Sequence, residues 1–172
     1  MNTTNPIQLQ LLFKENDLRD LQEVLEGAPR YSLKVSGQVQ PSTASEEVFV
    51  AIPEGFDVTK KIVIGVKQDT ELIGVIDILR GFPNEETAML GLLLLKEKKQ
   101  GQGLGKRTFE ELLTYVSSWS EIHKIRISVV KSNDEVLIFW KKLGFIETGV
   151  NHPYENGSVI SESIVLEKIL NH

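Results

Sequence analysis

The chain of 172 residues contains no cysteine. That single absence removes disulfides, thiolate metal ligands and any acyl transfer through a cysteine intermediate. Histidine is scarce as well: the three are His123, His152 and His172, no two of them at ligand spacing, so no metal is expected. An excess of basic residues is missing too. With 19 Lys and Arg against 24 Asp and Glu the net charge is −5, which argues against nucleic acid as the main partner. A GxSxG elbow is absent, which argues against a hydrolase built on a serine nucleophile. No apolar run approaches the ~20 residues of a membrane span, and the polar segment Met1–Gln10 lacks the pattern of a signal peptide, so no membrane partner and a cytoplasmic location are expected.

What is present reads as one mixed α/β domain over residues 1–172, long enough to bury about 70% of the surface of its unfolded chain. Residues Ile7–Phe13 read as a strand and Asp17–Leu25 as a helix, with Leu18, Leu21, Val24 and Leu25 at helical spacing and Gly27 and Pro29 as its stop. Residues 28–60 carry Pro29, Pro41 and Pro53 among Ser, Thr and Glu, and yield one short helix, Ser45–Ala51. Lys61–Lys67 and Leu72–Leu79 read as a hairpin turned at residues 68–70, and Ala88–Leu95 as the next strand. A helix follows from Leu104 to Trp119, then a strand Lys124–Val130, a helix opened by Asn133, and a final strand pair running to Ile169. Residues Asn151–Gly157 read as a loop, and Trp119 as core.

The most informative segment lies between the apolar run Leu92–Leu95 and the helix beginning at Leu104: Gln100, Gly101, Gln102, Gly103, Leu104, Gly105 and Lys106. A strand emptying through alternating glycines into a helix start makes an anion site, because the first helical N–H groups lack internal partners and face the positive end of the dipole. Glycines there can take φ > 0 and let a phosphate approach the backbone. Spacing separates the candidate ligands. A Walker A loop would need Gly at position 100 and Ser or Thr at 107, where Gln100 and Arg107 stand. The dinucleotide fingerprint would need a glycine at Lys106 or Thr108.

The pattern that is met is Q/RxxGxG, through Gln100, Gly103 and Gly105. It recurs with a second phrase: the strand Lys124–Val130, Asn133, and a helix ending in Phe139, Trp140, Lys141, Lys142, Leu143, Gly144 and Phe145, similar to FYxKLGF. In both motifs and their order, from about Ile62 to Phe145, the chain resembles the GNAT superfamily of acyl-CoA-dependent N-acyltransferases. The resemblance implies a central, mostly antiparallel, splayed sheet flanked by helices, with acetyl-CoA as cosubstrate and a primary amine as acceptor. It further implies a pyrophosphate on residues 100–106, a strand edge at Leu93 and Leu95 that presents backbone groups to the pantetheine arm, and a second wall carrying Asn133, Trp140 and Lys142. A monomer and a homodimer are both compatible with it.

Direct attack on a thioester requires a neutral amine, so a base or water chain must remove a proton. Asp77, interrupting the apolar run Leu72–Leu79, is the candidate base, with a structural ion pair as the alternative. Glu85 and Glu86 would serve only if their turn folds over the acceptor. Trp140 stands where the resemblance implies a tyrosine acting as general acid, and indole cannot fill that role. Tyr154 is the candidate substitute, or else a turn aromatic or pocket wall. Two readings outside enzymology stay open: a non-catalytic acyl-CoA-binding or regulatory domain, kept alive by Trp140, and a structural module whose glycines only cap a helix.

Overall fold

A computed structural model describes residues 5–172, so the first four residues of the polar Met1–Gln10 segment lie outside them. Seven strands form one sheet in the order β1-β2-β3-β4-β5-β7-β6: β1 Ile7–Leu11, β2 Lys61–Gln68, β3 Glu71–Arg80, β4 Thr87–Leu95, β5 Lys124–Val130, β6 Ile146–Asn156 and β7 Val159–Ile169. Every pairing is antiparallel except β4 with β5. Five helices flank it: α1 Lys14–Glu26, α2 Pro29–Ser36, α3 Ala44–Val50, α4 Leu104–Val116 and α5 Asp134–Lys142.

The strands β2 and β3 are apolar on both faces because helices cover both. On one face Leu104, Phe109, Leu112 and Val116 of α4 recur at helical spacing and pack with Trp140 and Phe145 against Ile64, Ile76, Ile78, Ile125 and Ile127. On the other, Leu21, Val24 and Leu25 of α1 and Ala44 of α3 cover Val63, Leu72, Val75 and Leu94. Trp119 is buried, as expected. The hairpin turns at Asp69, whose φ is 55°.

Three expectations are corrected. The region after Gly27 holds two helices where one was expected. Gly27 caps α1, but Pro29 occupies the first turn of α2, where its missing N–H costs nothing, so it starts a helix as well as barring the previous one. The segment Asn151–Gly157 is strand up to Asn156, with Pro153 opposite Glu162. β6 is the edge of the sheet, the position in which a strand tolerates proline. Of the three loop glycines expected to use positive φ, Gly101 (74°) and Gly103 (76°) do, and Gly105 does not; a Cβ there would stand 3.4 Å from the Phe139 ring, so close packing of α4 on α5 is its role.

Phe109, 1% exposed, meets Trp140 and Phe145 with ring centroids 5.5 Å away in each case, which joins α4 to α5 and to the approach to β6. Phe109→Ala is therefore expected to lower unfolding free energy by about 3–5 kcal/mol, measured by urea denaturation.

Candidate active site

The site begins where the sheet stops being continuous. β4 and β5 pair only at Thr87 with Lys124, Ala88 with Ile125 and Met89 with Arg126. Beyond Met89, β4 stays on β3 through Leu95 while β5 stays on β7 through Val130, so the two strands diverge into a V. Gly91 lies at the divergence. Asp77 pairs with Leu92 and Ile78 with Leu90, leaving Gly91 as the extra residue of a β-bulge, which bends the strand.

Register decides which backbone groups face the gap. The Lys96 N–H donates to the Ile73 carbonyl at 2.9 Å, so the alternate opposed pairs, Leu94 with Val75 and Leu92 with Asp77, are also the hydrogen-bonding ones. Leu93 and Leu95 consequently direct their N–H and C=O groups away from β3, towards the space that β5 has left. The Leu95 carbonyl accepts a hydrogen bond from the Gln100 side-chain amide at 2.8 Å, which ties the glycine loop to the strand end. Leu90, Leu93, Val129, Asn133 and Trp140 are among the residues lining the narrow cleft, about 80 Å³ in volume.

The loop leads from this cleft into α4. A Cβ at Gly101 or Gly103 would meet nothing within 4 Å, so the backbone is uncovered. Among the described residues, the N–H groups of 101–106 have no backbone acceptor, and Gly103 caps α4 without a side chain. The result is an open, electropositive backbone surface. Gln102 turns back to the Lys98 carbonyl at 3.0 Å. Lys106 is exposed, with Glu110 at 4.0 Å, and Lys142 is exposed with no ion pair among the described residues.

A profile of the acetyltransferase (GNAT) family matches residues 30–145, two thirds of the chain. The chain belongs to the GNAT acetyltransferase family. Among solved structures, an acetyltransferase from Thermus thermophilus superposes with a TM-score of 0.75 at 20% identity, over 97% of this chain and 100% of that one. Spermidine N-acetyltransferase from Vibrio cholerae, in complex with CoA and spermine, gives 0.72 at 16% identity over 95% of each chain. The ribosomal-protein-S18-alanine N-acetyltransferase of Escherichia coli gives 0.71 at 14% identity, over 97% of this chain and 96% of that one. At such identities the likeness is one of fold. Among curated proteins, sequence comparison finds no match.

Within this GNAT domain, Asp77 is held by Lys61, whose ammonium lies 2.9 and 2.8 Å from the two carboxylate oxygens and also donates to the Ala51 carbonyl at 2.8 Å. Burial pushes the Asp77 carboxyl above its ordinary range, and the charge and hydrogen bonds of Lys61 oppose that rise. The carboxylate stands behind Gly91: a Cβ at that glycine would lie 3.5 Å from Asp77 Oδ2. Glu85 lines a separate hollow of about 440 Å³ with Lys60, Arg80 and Glu121, at the opposite end of β3, where Arg80 and Glu121 pair at 2.5 Å. That hollow is larger than the cleft, but it lies away from both the β4–β5 divergence and the glycine loop, and two of its charges, Arg80 and Glu121, are spent on each other. Glu86 is exposed in the same turn.

Trp140 is 6% exposed and packs edge-on against Phe109, Phe139 and Phe145, so it serves as both core and cleft wall. Tyr154 does not lie in a loop. From β6 its hydroxyl donates to the Val35 carbonyl at 2.6 Å, the last turn of α2, and accepts from Asn156 at 3.3 Å. Its proton is thus committed to holding a helix.

That helix was not legible as part of the site. α2 begins beside the end of β4, where the Arg30 N–H donates to Glu97 Oε1 at 2.6 Å and the Glu97 N–H to the Gly27 carbonyl at 2.8 Å. It ends on the β5 side. There Lys34 accepts from Ser132 at 3.1 Å, and Ser36 from the Ser158 N–H at 3.1 Å. α2 therefore bridges the V, and Tyr31 and Val35 line the cleft from it. Burial, with a smaller contribution from nearby Tyr154, pushes the Tyr31 phenol up to about 12. Two residues in the sequence carry signals that could have been read this way and were not: Pro29, which is as compatible with the first turn of a helix as with the end of the previous one, and Gly91, a lone glycine inside a leucine-rich strand, a bulge signature.

The Lys61 side chain is 2% exposed and that of Asp77 18%, so removing one partner strands a buried charge. Asp77→Ala is expected to cost about 3–5 kcal/mol in urea denaturation, and the paired change Lys61→Met with Asp77→Leu to recover most of it.

Proposed function

We propose that the protein is an acetyl-CoA-dependent N-acetyltransferase in which a primary amine attacks the thioester directly. One observation carries the reading: a strand edge freed by the β4–β5 divergence runs straight into an uncovered glycine loop at a helix start. CoA has matching chemistry along its length. Its amide-rich pantetheine arm would pair with the backbone of Leu93 and Leu95 as an added strand, and its pyrophosphate would sit on the N–H groups of 101–106. Gln100, Gln102 and Lys106 border that phosphate position, and Lys142, which has no ion pair among the described residues, offers a cation at the foot of α5. A fixed N–H aimed at the developing oxyanion contributes about 2.7–4 kcal/mol in acyl transfer.

Family membership and the absence of cysteine both favour a single displacement with donor and acceptor bound together. Asp77, beside Gly91, is the carboxylate assigned to receive the amine proton, directly or through water, and its raised pKa brings it closer to that task. Trp140 favours a second reading, a domain that binds acyl-CoA without turnover, since the position of the expected acid carries an indole.

Acetyl-CoA at 100 times its dissociation constant should stabilise the domain by about 2.7 kcal/mol and raise the melting midpoint by about 5–10 °C. Gly103→Glu places a side chain and a negative charge on the phosphate position and should abolish that shift. A shift unaffected by Gly103→Glu would sink the phosphate assignment, and thiol release with a panel of primary amines separates the enzyme from the binding-only domain.

A further inference from the structure

We infer that Tyr31, presented by α2 across the cleft from Trp140, donates a hydrogen bond to the sulfur of the departing CoA thiolate, and that Tyr154 is the positioning residue that holds α2 for it. The inference rests on the acetyl-CoA reading above.

Three observations meet at this residue. Tyr31 lines the same cleft as Leu90, Leu93, Asn133 and Trp140, so its ring borders the space in which the thioester would react. Among the described residues its hydroxyl has no hydrogen-bond partner and is not sealed from solvent, while its ring is packed against the core, so a held ring carries a donor that nothing in the protein occupies. The helix carrying it is fastened at both ends to different halves of the split sheet, by Glu97 after β4 and by Tyr154, Ser132 and Ser158 beyond β5. An ordinary surface helix needs none of these long-range fastenings. Together they hold α2 over the V. Tyr154 spends its own hydroxyl on the Val35 carbonyl, one turn beyond Tyr31, so the two tyrosines divide the labour: one fixes the helix, the other keeps a free donor.

In the chemical step the amine nitrogen forms a bond to the thioester carbon, the carbon–sulfur bond breaks, and its electron pair goes to sulfur. The amine proton leaves to Asp77 or water, and CoA departs as a thiolate that the Tyr31 O–H stabilises by hydrogen bonding. Tyr31 keeps its proton throughout. A phenol held near 12 would transfer it to a thiolate of ordinary pKa, about 8.5, only against a factor of more than ~10³, whereas it remains a donor at every working pH.

The test is the titration of the thiol of free CoA bound to the protein, followed by ultraviolet thiolate absorbance, in wild type, Tyr31→Phe and Tyr154→Phe. Tyr31→Phe keeps the ring, so melting with and without CoA establishes that the variant folds and binds. Loss of the donor should raise the bound thiol pKa by about 1 unit or more and lower kcat about 10- to 100-fold, with the KM for acetyl-CoA little changed. Tyr154→Phe should move both in the same direction by less. A bound thiol that titrates alike in wild type and Tyr31→Phe overturns the inference and leaves Tyr31 as a wall, with any loss appearing in KM. Failure of wild type to bind CoA at all would instead overturn the acetyl-CoA reading on which it rests.

Discussion

Three residue pairs, Thr87–Met89 against Lys124–Arg126, are all that hold the two halves of the sheet together along β4 and β5, and the site exists because the pairing ends there. A sheet that continued past Met89 would satisfy its own backbone and leave nothing to offer a ligand. The bulge at Gly91 turns β4 away and makes an edge in the middle of the sheet. Internal edges of this kind are normally covered, since unpaired N–H and C=O groups invite another strand. Here α2 spans the opening, and what the edge can pair with is confined to a narrow, lined cleft.

The same break explains why residues far apart in sequence are fastened to one another. Opening the sheet removes the ladder that would fix the relative position of its halves, and hydrogen bonds through α2 replace part of it. Glu97 caps the first turn of α2 from the end of β4, while Tyr154 and Ser158 hold its last turn from the β6–β7 hairpin. The exposed hairpin, whose β6 face is almost wholly solvated, thus has a structural task at the cleft. Cores on either face of β2 and β3 provide the rigid half against which these fastenings act.

Electrostatics divides along the cleft. At one end the glycine loop offers backbone dipoles and no acidic side chain in the first turn of α4, a surface suited to phosphate. At the bulge, a carboxylate is kept behind Gly91 by a buried lysine, its charge compensated and its position fixed. That pair is weak as a source of stability, since both groups give up water to form it, and its value lies in holding Asp77 in one place. Between the two ends the cleft is lined mainly by apolar side chains, with Tyr31, Ser128 and Asn133 the polar ones beside the strand edges, so few groups compete for a reacting carbonyl.

Much of this was written locally. Near-continuous apolar runs mark β2 to β4, period two marks β5, period 3.6 marks α1 and α4, and the alternating glycines after Leu95 specify a helix start with an uncovered backbone; each depends on neighbours in sequence, so the sequence by itself determines it. Family membership was readable for the same reason, because its two motifs are each a strand, a turn and a helix in succession. Tyr31, Tyr154 and Asp77 are different. Nothing within ten residues of Tyr154 indicates that its hydroxyl belongs to Val35, nor does the apolar run around Asp77 reveal that Lys61 waits across the hairpin. Residues Asn151–Gly157, with Pro153 among them, read as a loop until β6 proved to be the sheet's edge, and Pro29 argued for a stop until it proved to be a start. Only tertiary structure decided these, because a side chain's hydrogen-bond partner and a residue's burial are set by which elements pack together, and that is a property of the whole sheet rather than of any segment in it.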